Sequence, residues 1–91
     1  MQKFPSFGEN QVALMRSDGN TGTVLDEKFN IPIDDSQIVF TVFNSVKESL
    51  DMAKNILTEH QGIECTIYDK DREALYFLRS LKDYFDNTQA R

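Results

Sequence analysis

Apolar and polar positions alternate along two stretches of the chain, and both stretches predict strands. In residues 37–43 (QIVFTVF) apolar side chains occupy both faces, which is typical of a strand covered on each side. In residues 63–69 (IECTIYD) the apolar row Ile63, Cys65 and Ile67 alternates with a more polar row. The segment between the two stretches is long enough for a right-handed crossover, so we expect these strands to run parallel.

A capping signal and a helical period predict the main helix over about residues 45–61. Ser45 and Glu48 have the spacing of a capping box, in which each side chain satisfies a backbone amide of the first turn. Apolar residues then recur three and four positions apart, as expected for one buried stripe: Val46, Leu50, Ala53, Ile56 and Leu57. Gly62 stands where a helix commonly ends in the left-handed conformation.

The apolar runs in the first third of the chain are shorter. Residues 11–16 fit a strand, the Asp-, Asn- and Gly-rich residues 17–22 fit a turn, and residues 23–29 fit the returning arm of a hairpin. Pro32 excludes a helix interior from residues 30–33, because proline lacks a backbone donor and constrains the residue before it.

The C-terminal third is ambiguous between strand and helix. Residues 74–78 fit a hairpin arm, yet the apolar residues between Ala74 and Phe85 also fit a helical stripe. We interpret this segment as a strand through about Leu78, followed by a short amphipathic helix over residues 80–85.

Together these elements predict a single α+β domain spanning residues 1–91. We expect a four- or five-stranded mixed sheet with the main helix packed on one face. The short C-terminal helix or a partner would partly cover the other face. Residues 1–10 have no period and are expected to form an irregular lead-in that Phe4 and Phe7 pin to the fold, and residues from about 86 to 91 a frayed tail.

Composition narrows the class of protein. The chain has 91 residues, of which 40% are apolar and 27% charged, as in an ordinary folded domain. Its net charge of -5 argues against nucleic acid and anionic membranes as partners, because both are bound through clustered Lys and Arg. No apolar stretch approaches the roughly 20 residues that span a bilayer. The N-terminus lacks the apolar region of a secretory signal, so we expect a cytoplasmic protein.

Few residues could carry chemistry. Cys65 is the only thiol and His60 the only imidazole. A Cys inside a strand behaves as a small hydrophobe, and a His in the last helical turn complements the helix dipole, so we predict no catalytic pair. A single cysteine also excludes an internal disulfide and a Cys-rich zinc site. The loop that begins at Asp18 (DGNTG) lacks the later oxygen ligands of a calcium loop, which favours a simple turn.

Carboxylates recur in three pairs, at positions 26 and 27, 34 and 35, and 69 and 71. Such pairs perform acid–base work only where burial raises the pKa of one member. All three pairs lie in polar, loop-like stretches, so we expect them to be solvated. An acidic surface that faces a basic partner is the alternative functional interpretation. We therefore predict no catalytic residue, no metal site and no cofactor.

The order of elements within residues 37–78, FTVFNSVKESLDMAKNIL followed by GIECTIYDKDREALYFL, resembles small bacterial α+β proteins of unassigned function. In these proteins a strand, a capped helix and a hairpin of this kind form a compact sheet with one helix packed on it. The shared motifs are structural, so the resemblance implies a fold and assigns no catalytic residue.

These observations favour a small non-enzymatic protein-interaction or regulatory module, such as an inhibitor or immunity protein. A small sheet with one helix leaves a face undercovered, and we expect Val39, Phe43, Tyr68 and Tyr76 to form an interaction surface there. The partner would be another protein or a second copy of the chain in a homodimer. The alternative is a small-ligand binding domain with a pocket between helix and sheet.

Overall fold

The computed structural model describes residues 1–88, and within them the chain forms five strands and two helices. In chain order these are β1 (Val12–Asp18), β2 (Val24–Leu25), β3 (Phe40–Phe43), α1 (Val46–Glu59), β4 (Ile63–Tyr68), β5 (Ala74–Leu78) and α2 (Leu81–Thr88). The α+β class is confirmed, as are the main helix and the C-terminal strand followed by a short helix. The predicted frayed tail overlaps the end of α2, and its last part, residues 89–91, lies outside the described residues.

Strand β1 lies at the centre of the sheet. One of its edges pairs with β4, whose far side pairs with β5. The other edge is shared: Val12 to Met15 pair with β3, and Arg16 and Ser17 pair with β2. All of these pairings are antiparallel.

The predicted mixed sheet is therefore corrected to an antiparallel one. Strands β3 and β4 do run in the same direction, as expected, because each is antiparallel to β1. They are not neighbours, however, since β1 lies between them. The length of the α1 segment permits a crossover to an adjacent strand but does not require one. The equally apolar β1 takes the central position instead.

Helix α1 begins after the predicted cap Ser45 and ends at Glu59, about two residues before the predicted end. The Ser45 hydroxyl accepts a hydrogen bond from the Glu48 amide at 3.1 Å, and Gly62 adopts a left-handed φ of 84° just after the helix. The buried face of α1 packs on β1, β4 and β5 in a core to which α2 adds Tyr84. Both helices thus lie on the same face of the sheet. The expectation that α2 partly covers the opposite face is therefore wrong.

The N-terminal segment covers that opposite face. Phe4 and Phe7 pack against a cluster formed by Ala13, Val39 and Phe40. The Phe4 ring centroid lies 5.2 Å from that of Phe40 and 5.8 Å from that of Tyr68, both in edge-to-face geometry. The guanidinium of Arg72 lies 5.3 Å from the centre of the Phe4 ring. The lead-in is therefore a second packing layer anchored by its aromatic side chains.

This arrangement predicts that Phe4→Ala lowers the free energy of unfolding by about 2 kcal/mol, because it removes a large, partly buried ring from an aromatic cluster. Ile33→Ala is the matched control, since 86% of the Ile33 side chain is exposed, and it should change stability by less than about 0.5 kcal/mol. Urea denaturation of the two variants measures the difference. Equal effects would mean that the N-terminal segment does not stabilise the sheet.

Candidate functional site

The four residues predicted to form an interaction surface do not share one face. Val39 is fully buried and lies with Tyr68 in the cluster beneath Phe4. Phe43 and Tyr76 are half-buried and pack against the core under the helices. The prediction placed Val39 by strand alternation, but the β3 ladder begins only at Phe40. The four residues therefore do not form one continuous surface, and Val39 is buried beneath the N-terminal segment.

Cys65 and His60 occupy different environments. Cys65 is fully buried in the core under the helices, and this burial raises the pKa of its thiol to about 12 despite the nearby positive charge of Arg16. His60 caps the C-terminal end of α1, and its ring stacks on Phe29 with 4.1 Å between the centroids. A thiol with so high a pKa is protonated at neutral pH and is a poor nucleophile.

Asp26 differs from the other carboxylates of the three predicted pairs. Asp34, Asp35 and Asp71 are exposed, as expected, whereas the Asp26 residue is only 5% exposed. Its Oδ1 accepts hydrogen bonds from the amides of Lys28 and Asn30, both at 2.9 Å. The expectation that the 26–27 pair is fully solvated is therefore wrong for Asp26, because the chain folds around its carboxylate.

These bonds shape the loop that follows β2. Asp26 Oδ2 also accepts a hydrogen bond from Gln37 Nε2 at 2.8 Å, which joins the two ends of the segment between β2 and β3. The Gln37 bond and the backbone bonds lower the pKa of Asp26 below its ordinary value. Phe29, in the same turn, adopts a left-handed φ of 65°. The turn places Glu27 and Phe29 on the wall of a cavity that α1 also lines.

Arg16 is the unusual residue of β1. It is 3% exposed, on the strand face that also carries the buried Val12 and Leu14. Its Nη2 donates to the carbonyl of Val39 at 3.0 Å and to the hydroxyl of Thr41 at 2.9 Å. Its Nε is buried and has no hydrogen-bond partner among the described residues.

No ion pair among residues 1–88 includes Arg16. Burial lowers the pKa of its guanidinium, although the negative charges of Glu27 and Asp26 partly oppose that effect. The guanidinium remains charged even so, because arginine is not deprotonated in proteins. Buried charges in proteins are usually paired or hydrogen-bonded at every donor, so this one is incompletely satisfied.

A cavity of about 260 Å³ opens beside Arg16, between α1, the sheet and the turn after β2. Its wall combines the cation with two exposed carboxylates, Glu27 and Glu59. The other lining residues are Phe29, Thr41, Met52, Asn55, Ile56 and His60. The cavity therefore offers a positive group at its base, negative groups on its wall and an apolar side.

A second cavity, of about 310 Å³, lies at the C-terminal end of α1, and Leu57, Ile63 and Arg79 are among its lining residues. The guanidinium of Arg79 already pairs with Asp83 at 2.9 Å and is largely exposed. We regard the cavity beside Arg16 as the better candidate site, since it alone of the two contains a buried and incompletely bonded charge.

Comparison with known proteins gives no relative to guide the assignment: no family model matches the chain, and neither a search of curated proteins nor one of solved structures finds a match. Within residues 1–88, neither helix is long and apolar enough to cross a membrane. The same residues contain no cluster of three or more His, Cys, Asp or Glu side chains arranged to hold a metal ion.

The role of Arg16 was absent from the sequence interpretation, although a signal for it exists. Val12, Leu14 and Arg16 are alternate residues of one strand, so Arg16 continues an apolar row. A charged residue in such a row is buried unless the strand ends before it. The predicted strand stopped at Arg16, whereas β1 continues to Asp18.

The bonds of Asp26 predict a pH-dependent contribution to stability. Asp26→Asn should lower the free energy of unfolding at pH 7. Because the folded-state pKa of Asp26 is lowered, its stabilising effect is complete above the unfolded value of about 3.9 and is lost as the pH falls through the folded value. Urea denaturation between pH 7 and pH 3 should show the gap between wild type and variant closing below about pH 4.

Asp71→Asn is the matched control, because it replaces an exposed turn carboxylate and should have a smaller effect at pH 7. A gap for Asp26→Asn that stays constant down to pH 3 would contradict the role assigned to the carboxylate.

Proposed function

We propose that the protein binds a small zwitterionic organic molecule, of the chemical class of an α-amino acid, in the cavity beside Arg16. The observation that carries this proposal is a buried and incompletely hydrogen-bonded guanidinium whose residue lines the cavity. A carboxylate is the natural complement of a guanidinium, because it carries the opposite charge and accepts charge-assisted hydrogen bonds. A bound carboxylate would also supply the counter-charge that no ion pair gives Arg16 within residues 1–88.

The other charges of the cavity argue for a ligand with an ammonium group as well. A simple anion would be repelled by Glu27 and Glu59, which line the same space as Arg16. A zwitterion can place its carboxylate at Arg16 and its ammonium toward these carboxylates. Such an arrangement of opposite charges selects against both plain acids and plain amines.

Size and polarity limit the rest of the ligand. The cavity volume of about 260 Å³ is below the range of about 300–1,000 Å³ typical of sites for drug-sized molecules. Phe29, Met52 and Ile56 provide an apolar side against which a short hydrocarbon chain can pack. An amino acid with a medium-sized apolar side chain fits these requirements.

Binding is expected to raise the melting temperature of the protein, because a ligand that binds only the folded state stabilises it. We predict a rise of several degrees when a suitable apolar L-amino acid exceeds its Kd about tenfold. The matched probes are the carboxylic acid without the amine and the amine without the carboxylate, and each should bind at least about tenfold more weakly. Thermal denaturation across this panel is the measurement.

Variants at the cavity wall localise the effect while leaving the buried Arg16 in place. Glu59→Gln removes one carboxylate of the cavity, and Met52→Trp fills space from an exposed helical position, so both should weaken binding. Glu9→Gln is the control, since it removes an exposed carboxylate that does not line the cavity. The proposal fails if no amino acid raises the melting temperature at millimolar concentration. It also fails if the acid without an amine binds equally well, or if the wall variants have no effect.

A protein-interaction module is the second candidate function. It is favoured by a separate observation, the exposed apolar side chains of the edge strand β5. That strand does not line the cavity beside Arg16, so the two functions are compatible.

A further inference from the structure

We propose that two copies of the chain associate by antiparallel pairing of their β5 strands, which joins their sheets into one. Strand β5 is the last in the sheet order, and within residues 1–88 no other strand pairs with its outer edge. All five of its residues are apolar or aromatic: Ala74, Leu75, Tyr76, Phe77 and Leu78. An edge strand of this composition can pair with another chain, because its outward backbone groups still need partners.

The opposite edge of the sheet is protected by the chain itself. The amides of Val39 and Phe40 both donate to the side-chain oxygen of Gln2 at 2.8 Å. The amide of Glu27 donates to the carbonyl of Ile38 at 2.8 Å. The N-terminal segment and the loop after β2 thus occupy that edge. No comparable backbone or side-chain bonds from a neighbouring segment cover the outer edge of β5 within residues 1–88.

The side chains of β5 divide between the two faces of the sheet. Tyr76 and Leu78 pack into the core under the helices. Phe77 lies on the other face, opposite Thr66, and is 52% exposed, and Leu75, at a register shift between β4 and β5, is 44% exposed. Two large apolar side chains on one short strand form an exposed patch that pairing with a second strand would enlarge and shield.

The charges that flank β5 favour a second copy as the occupant. Glu73 precedes the strand and Arg79 follows it, each three residues from Tyr76. Antiparallel pairing about a two-fold axis at Tyr76 therefore brings the Glu73 end of each strand to the Arg79 end of the second copy. The same pairing brings Leu75, which lies at a register shift between β4 and β5, close to the second copy's Phe77. Parallel pairing in register would instead place like charges opposite each other.

The flanking side chains are available for this contact. Glu73 is exposed, and the Arg79 side chain is 63% exposed. Arg79 uses its Nε for the pair with Asp83, and a guanidinium carries five N–H donors, so others remain for a carboxylate of the second copy. The two-fold axis stands perpendicular to the sheet, so the helices of both copies lie on the same side.

The test is the oligomeric state of the full chain, measured by sedimentation and light scattering over a range of concentrations. We expect a mass twice that of the 10.5 kDa chain. Phe77→Lys should abolish the dimer, because it places two charges in the paired apolar patch. Glu73→Arg and Arg79→Glu should each weaken association about tenfold, since each replaces two attractive contacts with repulsive ones. Lys28→Glu, in an exposed turn away from β5, should have no effect.

Mixing the Glu73→Arg and Arg79→Glu variants provides a rescue that is independent of folding defects. One copy then carries two positive flanks and the other two negative flanks, so the mixed dimer regains both favourable contacts. Thermal denaturation of each variant alone verifies that it is folded. A chain that remains monomeric at several hundred micromolar would overturn the proposal. So would a dimer that survives Phe77→Lys, or variants that do not associate preferentially when mixed. None of these outcomes bears on ligand binding beside Arg16.

Discussion

The hydrogen bonds of the buried Arg16 guanidinium stabilise the position at which β1 stops pairing with β3 and starts pairing with β2. On one edge of β1, Met15 pairs with Phe40 of β3, and the next residue, Arg16, pairs with Leu25 of β2. The two partner strands therefore meet end to end beside Arg16. Its Nη2 reaches the backbone of Val39 and the side chain of Thr41, and so ties β3 to the central strand at this junction. The chain between β2 and β3 has to leave the sheet there and return, which opens space beside α1.

Asp26 determines the conformation of this segment between β2 and β3. Its carboxylate binds backbone amides on the outgoing side and the Gln37 side chain on the returning side. The turn that results places Phe29 on the ring of His60 at the end of α1. The cavity is thus a consequence of the strand junction and of one buried carboxylate. The buried charge of Arg16 and the cavity next to it therefore both result from the junction of β2 and β3 on one edge of β1.

The elements that sequence patterns located correctly are those with local signals. The capping box at Ser45 fixes the start of α1, the alternation from Ile63 fixes β4, and the apolar run before Ser80 fixes β5. The order of strands could not be predicted in this way, because several apolar strands compete for the central position and only tertiary packing decides among them. The packing of Phe4 and Phe7 on the fold was predicted and is confirmed, but the face that they cover was not predicted, because single rings on irregular backbone carry no periodic pattern.

Part of the candidate site could also be predicted from local sequence patterns. A pocket between helix and sheet was among the expectations, and Arg16 lies in an apolar row that marks it as buried. Burial of Asp26 had no local signal, because an Asp-Glu pair near a turn is normally solvated and the bond to Gln37 spans eleven positions. Val39 was misplaced for a related reason: its backbone amide binds Gln2 and its residue precedes the ladder, so strand alternation does not govern its side chain.

The two edges of the sheet carry the two proposed functions, and their difference follows from chain connectivity. The edge formed by β2 and β3 is interrupted, so neighbouring segments fold over it and create a concave, charged site. The edge formed by β5 is apolar, with one register shift opposite Ile67 and Tyr68, and only the short α2 follows it in the described chain. Concave surfaces suit small ligands, whereas an unpaired strand edge suits another strand. A pair formed through β5 would leave both Arg16 cavities at the outer ends of the joined sheet, where each remains open to its own ligand.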